Sequence, residues 1–298
     1  MLKSCIAMTK ILLIFVLEFG VGSKGVYMIF VHDKGRMANN MLQYGHVYAW
    51  GREHGRQTMS MRFAYKYPWF HICETKHHNF MTYLFAKYGA KLGLFPTVHF
   101  DQQNADYSLE ERIMLDCKMI MVQGWYARWY DLFEKYKPEI RQLFAFDKEV
   151  LATSRLKLGE GSAVRVGVHV RRGDYKTHLG GRFYYSDAQY VGVLKQFKNL
   201  MPNTKIIFFV CGNDPELKKD YFRSELECQL CKVEFPDGNP AEDMCLLSLC
   251  DWLIGAPSTF SLVAAMYREA PLYWIEDPET PLTKERFKSF NELFRHIY

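Results

Sequence analysis

The chain has 298 residues; 38 Lys and Arg against 33 Asp and Glu leave a formal charge of +5, and 49% of the residues are hydrophobic. That apolar content excludes a disordered chain, and 20 Gly without a period exclude a collagen-like one. The length favours two domains, since single cores split at about 250 to 300 residues, and basic residues that alternate with acidic ones, Arg171-Arg172 apart, offer no stripe for nucleic acid.

Lys3 and Lys10 precede an apolar run from Ile11 to Leu17, after which Glu18 intervenes and the small residues Gly20, Gly22 and Ser23 follow. A membrane span takes about 20 apolar residues, so the run is short for one and has the layout of a secretory signal. Residues 1–25 are therefore read as a secretory leader, either a cleaved signal peptide or a single N-terminal membrane anchor. The stretch from Val26 to Val31 reads as the first strand, His32 to Ala38 as a loop, and Asn39 to about His54 as a helix whose apolar residues form a broad buried face. From Arg56 to Lys148 aromatic and basic residues mix without a clear period. Within that region Gln123-Gly124-Trp125-Tyr126 offers a turn able to display its rings.

The second half is regular. Strands are predicted at Val164 to Val170, Lys205 to Cys211, Lys232 to Phe235, Asp251 to Gly255 and Pro271 to Ile275. Helices are predicted between them, at Ser186 to Leu200, after the turn Gly212-Asn213-Asp214-Pro215, at Ala241 to Leu249, and from Ser258 to about Tyr267. Such alternation predicts a parallel sheet wound with helices on both sides, with ligands at the carboxyl ends of the strands. The flexible stretch Gly159-Glu160-Gly161-Ser162 marks the expected boundary, giving domains 26–160 and 161–298.

Eight cysteines stand at positions 5, 73, 117, 211, 228, 231, 245 and 250. Cys228 and Cys231 form a C-x-x-C, but Cys245 and Cys250 lie on different faces of a helix-like run, which disfavours zinc. One local disulfide among these four is expected. No N-x-S/T acceptor, G-x-G-x-x-G or G-K-S/T is present, so the ordinary dinucleotide and P-loop readings fail.

Three polar loops carry the chemistry. His169-Val170-Arg171-Arg172-Gly173-Asp174-Tyr175 begins where a buried strand ends. Two arginines there suit a pyrophosphate, which guanidinium forks bind in bidentate fashion; the bland alternative is a local Arg171–Asp174 ion pair. Ser258-Thr259-Phe260-Ser261 opens a helix and offers hydroxyls and amides to an anion, or is simply an N-cap. In Gly35-Arg36-Met37-Ala38-Asn39-Asn40, glycine allows a ligand to approach the backbone and Arg36 offers a charge, whereas Asn39 is equally a helix cap.

Together these loops resemble the α-1,2-fucosyltransferase family, glycosyltransferase family 11. GRMANNM at Gly35 to Met41 resembles the family's G-R-L-G-N-Q-M, His169 to Tyr175 keeps H-x-R-R-x-D-Y, VCGNDPE resembles its S-N-D turn, and Asp243 to Tyr267 resembles its S-T-F-S segment. The likeness covers most of residues 26–275. Ala38, Asn40, Ala127 and Leu262-Val263 depart from it, and these departures fall on the acceptor side.

The resemblance implies an α/β protein of the GT-B type, two Rossmann-like domains with parallel sheets facing a cleft. It implies inverting, metal-independent transfer of L-fucose from GDP-fucose to a glycan hydroxyl, O-2 of a galactose. The setting implied is the Golgi lumen, with the protein membrane-anchored or secreted and the acceptor a glycoprotein or glycolipid glycan. No cofactor is implied, and no D-x-D motif is present to hold a divalent metal. Asp174 and His169 are the candidates for the general base. Arg171, Arg172, Tyr175, Gly35, Arg36, Asn39, Asn213, Asp214, Ser258, Thr259 and Ser261 are expected on the donor. The acceptor is expected on the N-terminal half, with Trp125 and Tyr126 the ring candidates. A non-catalytic GDP-sugar or glycan-binding homologue, and a fucosyltransferase acting on protein hydroxyls, stay open.

Overall fold

A computed structural model of the chain describes residues 27–212 and 214–297. The leader and Asn213 lie outside the described residues. Contacts divide the chain into two units, Met1–Ala145 and Phe146–Tyr298.

The first unit runs β1 (Met28–His32), α1 (Met37–Glu53), β2 (Gln57–Ser60), α2 (Phe80–Lys91), β3 (Thr97–His99), α3 (Ser108–Asp116), β4 (Met119–Gln123) and α4 (Tyr130–Leu143). Its sheet is parallel in the order β2-β1-β4-β3. Met28 and Phe30, two apart on β1 and so on one face, pack with Met59 of β2 and Met121 of β4 against Phe85 and Ala86 of α2. Helix α1 starts at Met37, with Arg36 as its extended N-cap, so Asn39 lies inside the first turn rather than at the cap. The loop before it is held by Gln43, whose Nε2 donates to the Lys34 carbonyl at 2.6 Å.

The second unit runs α5 (Lys148–Leu158), β5 (Val164–His169), α6 (Asp187–Leu200), β6 (Ile206–Cys211), α7 (Lys219–Leu226), β7 (Cys231–Glu234), α8 (Pro240–Ser248), β8 (Trp252–Gly255), α9 (Thr259–Arg268), β9 (Leu272–Trp274) and α10 (Phe290–Phe294). The sheet is again parallel, in the order β7-β6-β5-β8-β9. Val166 and Val168 of β5 pack with Tyr190, Leu194 and Phe197 of α6 and Phe222 of α7. On the other face Gly167 leaves room for α8, because a Cβ there would stand 2.7 Å from Leu247. Both units thus have a parallel α/β architecture, which the strand and helix alternation predicts for the second and the family resemblance implies for both.

Two expectations are corrected. Helix α5 belongs to the second unit, since it packs on α8 and its Lys157 pairs with Glu242; Gly159 to Ser162 is a loop inside that unit, and the division falls before Phe146. The seven described cysteines are all free. Cys228 and Cys231 exchange backbone hydrogen bonds at 3.0 and 3.1 Å, in a turn that buries Cys231 and leaves Cys228 exposed, and both thiols are free. Among the described residues no helix is long and apolar enough to cross a membrane.

Gly124 ends β4 with φ +115, and a Cβ there would lie 2.3 Å from the Phe100 carbonyl oxygen, a backbone atom that cannot swing aside. Gly124→Ala is expected to cost more than about 2 kcal/mol. Gly192→Ala, mid-helix with nothing within 4 Å, should instead stabilise by about 0.5 to 1 kcal/mol. Urea unfolding of the two variants beside the parent measures both.

Candidate active site

In the second sheet the strand order reverses between β5 and β8, and the crevice outside such a switch point is where open α/β sheets take ligands. His169 pairs in register with Cys211 of β6 on one side and Gly255 of β8 on the other. The approach is tight: a Cβ on Gly255 would stand 2.8 Å from the His169 carbonyl oxygen. Three strand ends therefore converge around the H-x-R-R-x-D-Y loop.

The two arginines diverge. Nη2 of Arg171 reaches both carboxylate oxygens of Asp174, at 2.8 and 2.9 Å, and its guanidinium lies 5.2 Å from the Tyr175 ring centre. The local ion pair weighed from sequence is thus formed, with Asp174 half exposed. Arg172, expected beside it on the donor, is turned into the unit. Its side chain is 6% exposed, with Nε donating to the Tyr185 carbonyl at 2.9 Å, Nη1 to Asp214 at 3.0 Å and Nη2 to Asp187 at 2.5 Å. Asp214 is consequently an ion-pair partner of Arg172 and also caps the turn at Glu216.

Tyr175 closes the loop onto the next strand end by donating its hydroxyl to the Pro257 carbonyl at 2.5 Å. There Ser258 is the N-cap of α9, accepting from the Phe260 amide at 3.2 Å, while Ser261 donates to the Ser258 carbonyl and accepts from Trp274. The cap reading of this segment is realised. It still presents the amide end of a ten-residue helix beside Arg171's loop, with Thr259 half-buried at its first position. His169 stacks on Phe260, with ring centres 4.8 Å apart. Burial, reinforced by the Arg171 charge, pushes its imidazole down to about 3, and its Nδ1 is buried without a hydrogen-bond partner among the described residues.

In the first unit, Gly35 has φ +92 and lies against Asn39, with Arg36 at the helix entry. Trp125 and Tyr126 sit in the loop after β4, but the Arg128 guanidinium covers the Trp125 ring, 4.0 Å from its centre, so that face is already occupied. Of the other aromatic residues there, Tyr67 and Trp129 are held by protein, the Tyr67 hydroxyl by Asn40 and the Trp129 indole by Glu111. Tyr65 instead lines a cavity of about 520 Å³ at the carboxyl edge of the first sheet, and Trp125 and Tyr126 do not.

Beneath that edge is a carboxyl that sequence reasoning missed. Asp33 is wholly buried and accepts from the Ser60 hydroxyl and, at 3.2 Å, from the Arg62 amide. Burial pushes it up to about 7 against those contacts. No sequence signal marks it, since a lone Asp after a strand is ordinary turn chemistry. Among the described residues no three His, Cys, Asp or Glu side chains gather in a way that could hold a metal ion.

Two stability predictions result. Arg172→Ala leaves Asp187 and Asp214, 12% and 11% exposed, without their cation, and should cost about 3 to 5 kcal/mol by urea unfolding, while Arg171→Ala changes stability little. Asp33 in the folded chain titrates above its unfolded value of about 3.9, so the folded state keeps a proton the unfolded state has lost and stability falls between the two pKa values as pH rises. The stability of Asp33→Asn relative to the parent should therefore rise by about 3 kcal/mol from pH 5 to pH 8. A constant difference would show that Asp33 is ionised in the fold.

Comparison with known proteins places the chain. The family described as glycosyl transferase family 11 matches residues 113–270, more than half of it. An alpha-1,2-colitosyltransferase of Escherichia coli is 28% identical over 158 residues, 49% of this chain and 53% of that protein, so the chain spans about half the length of this curated relative. Among solved structures, a mutant of Arabidopsis thaliana FUT1 in complex with GDP is similar with a TM-score of 0.62 at 14% identity, over 92% of this chain and 76% of that one. NodZ alpha-1,6-fucosyltransferase co-crystallized with GDP gives 0.54 at 13% identity, over 84% and 95%. POFUT1 in complex with GDP-fucose gives 0.53 at 11%, over 85% and 98%. At such identities the structures show a shared GT-B fold alone, while the residues matched by the family include both strand-end loops of the second unit: the chain belongs to glycosyltransferase family 11.

Proposed function

We propose that the protein transfers L-fucose from GDP-fucose, with inversion and without a metal, to O-2 of a galactose in a glycan. The observation that carries this reading is the meeting of Arg171, Asp174 and the N-terminus of α9 at the β5/β8 switch point. Family membership and the GDP or GDP-fucose held by the solved relatives support the donor. The linkage named for the bacterial relative supports α-1,2.

In the reaction the acceptor oxygen bonds to C1 of fucose as the bond from C1 to the β-phosphate oxygen breaks. The electron pair leaves with GDP, and the hydroxyl proton passes to a base. Charge grows on the phosphate, and two groups fixed beforehand meet it: the Arg171 guanidinium, which can fork across phosphate oxygens, and the amide end of α9. Groups already in place stabilise that charge without reorganising. Asp174 is the base, because it is a half-exposed carboxylate on the same loop. His169, whose imidazole is pushed down to about 3 by burial and the Arg171 charge, is neutral and a weak base. Arg172 positions Arg171 from behind.

The test is incubation of purified full chain with GDP-fucose and a panel of galactosides in EDTA, with the product linkage read by NMR. An α-1,2-fucosylated product is expected. GDP binding without any transfer would overturn the enzymatic reading and leave a binding homologue. Asp174→Asn should lower kcat about 100-fold or more while GDP affinity by calorimetry is retained, and Arg171→Ala should lose GDP affinity at unchanged fold.

A further inference from the structure

The first unit holds a pocket lined by none of the residues assigned to the donor. Its sheet also reverses, between β1 and β4, and the cavity of about 520 Å³ opens at that carboxyl edge, within the size range of small-ligand sites. We infer that this cavity binds an acidic saccharide, a sugar chain bearing a carboxylate or a sulfate. The inference rests on the proposed transferase reading only in making that saccharide the acceptor.

The polar wall is one rung of the sheet. His32, Gln123 and His99 are register partners on β1, β4 and β3. Gln123 ties them together, its Oε1 2.9 Å from His32 Nδ1 and its Nε2 2.6 Å from His99 Nδ1. Planar amide and imidazole edges of this kind suit the hydroxyls of a sugar ring. Across the cavity the rings of Tyr65 and Tyr83 lie 4.5 Å apart at 43° to one another, and Tyr65 is 43% exposed, an apolar ring face of the sort that stacks on a sugar.

The charge decides the class of sugar. Arg62, Lys87 and Lys91 line the cavity and no Asp or Glu does, although acids and bases alternate along most of the chain. Lys87 sits over the rings of Tyr83 and Tyr88 at 5.6 and 5.7 Å, and among the described residues neither Lys87 nor Lys91 pairs with a carboxylate. Arg62 is anchored on neutral oxygens, the Tyr65 hydroxyl at 2.7 Å and the Asp33 carbonyl at 3.3 Å. The Asp33 carboxyl is occupied by Ser60 and the Arg62 amide. A neutral sugar would bring no counter-charge to Lys87 and Lys91, whereas an acid group would meet them with charge-assisted hydrogen bonds.

The experiment is calorimetric titration of the full chain with lactose, 3′-sialyllactose, 3′-sulfolactose and GDP. At least one of the two acidic sugars should bind about tenfold or more tightly than lactose, the worth of one charge-assisted hydrogen bond, and which of them does identifies the acid group. Lys87→Glu combined with Lys91→Glu should abolish that preference and leave GDP affinity unchanged, and Tyr65→Ala should weaken every sugar. Equal affinity for lactose and both acidic sugars, a preference that survives the double substitution, or loss of GDP binding in the double variant would each overturn the inference. Because binding is read without turnover, a chain that transfers no fucose can still show the preference, and an active one can lack it.

Discussion

The buried guanidinium of Arg172 is the contact on which the second unit's site depends. Its three nitrogens reach the Tyr185 carbonyl, Asp214 and Asp187, which belong to the segment before α6, the loop after β6 and the first residue of α6. One cation therefore fixes the loop after β5 relative to two neighbouring segments. A buried ion pair is weak evidence for net stability, but removing one partner from it is severe. The loop is thus held in one arrangement by the penalty for leaving it. With Arg172 committed inward, Arg171 is the arginine on the site side, in contact with Asp174 and Tyr175.

The second restraint runs sideways across the sheet. Burial raises the Tyr175 phenol above its ordinary pKa, so it stays a proton donor to the Pro257 carbonyl. That bond, with the stacking of His169 on Phe260, ties the arginine loop to the start of α9. A guanidinium and a helix N-terminus tied in this way share one rigid frame. The buried, neutral His169 adds no charge of its own to the field around them.

Much of this was legible in the sequence, for physical reasons particular to each segment. VRVGVH and IIFFVC are strands buried on both faces, so an uninterrupted apolar run was signal enough, and Ser186 and Ser258 cap the helices they precede. The region from 56 to 148 was illegible because β2 and β3 are only four and three residues long and carry polar side chains. The divergence of Arg171 and Arg172 could not be read, because the acids that draw Arg172 inward stand 15 and 42 residues away in sequence. Nor could the sequence show that Arg128, three residues on, lies over one face of the Trp125 ring in the turn that was read there. The cavity was hidden because its wall is a rung across three strands, two of which had not been recognised.

Each unit places its polar groups at a switch point, yet the two handle charge in opposite ways. In the second unit three carboxylates sit against two arginines, so the loop carries no net positive charge and selectivity rests on geometry, the fork of one guanidinium and the amides of one helix. The buried pairs of Arg172 are little screened by salt. In the first unit Lys87 lies over rings and the Arg62 guanidinium on the Tyr65 hydroxyl, with no acid lining the cavity, so selectivity there rests on net charge in a partly open site, which salt does screen. A donor pyrophosphate has an invariant shape and is matched by a fixed fork. Sugar chains vary in shape and are better sorted by a field over a flat ring surface, which tolerates different placements of the same acidic group.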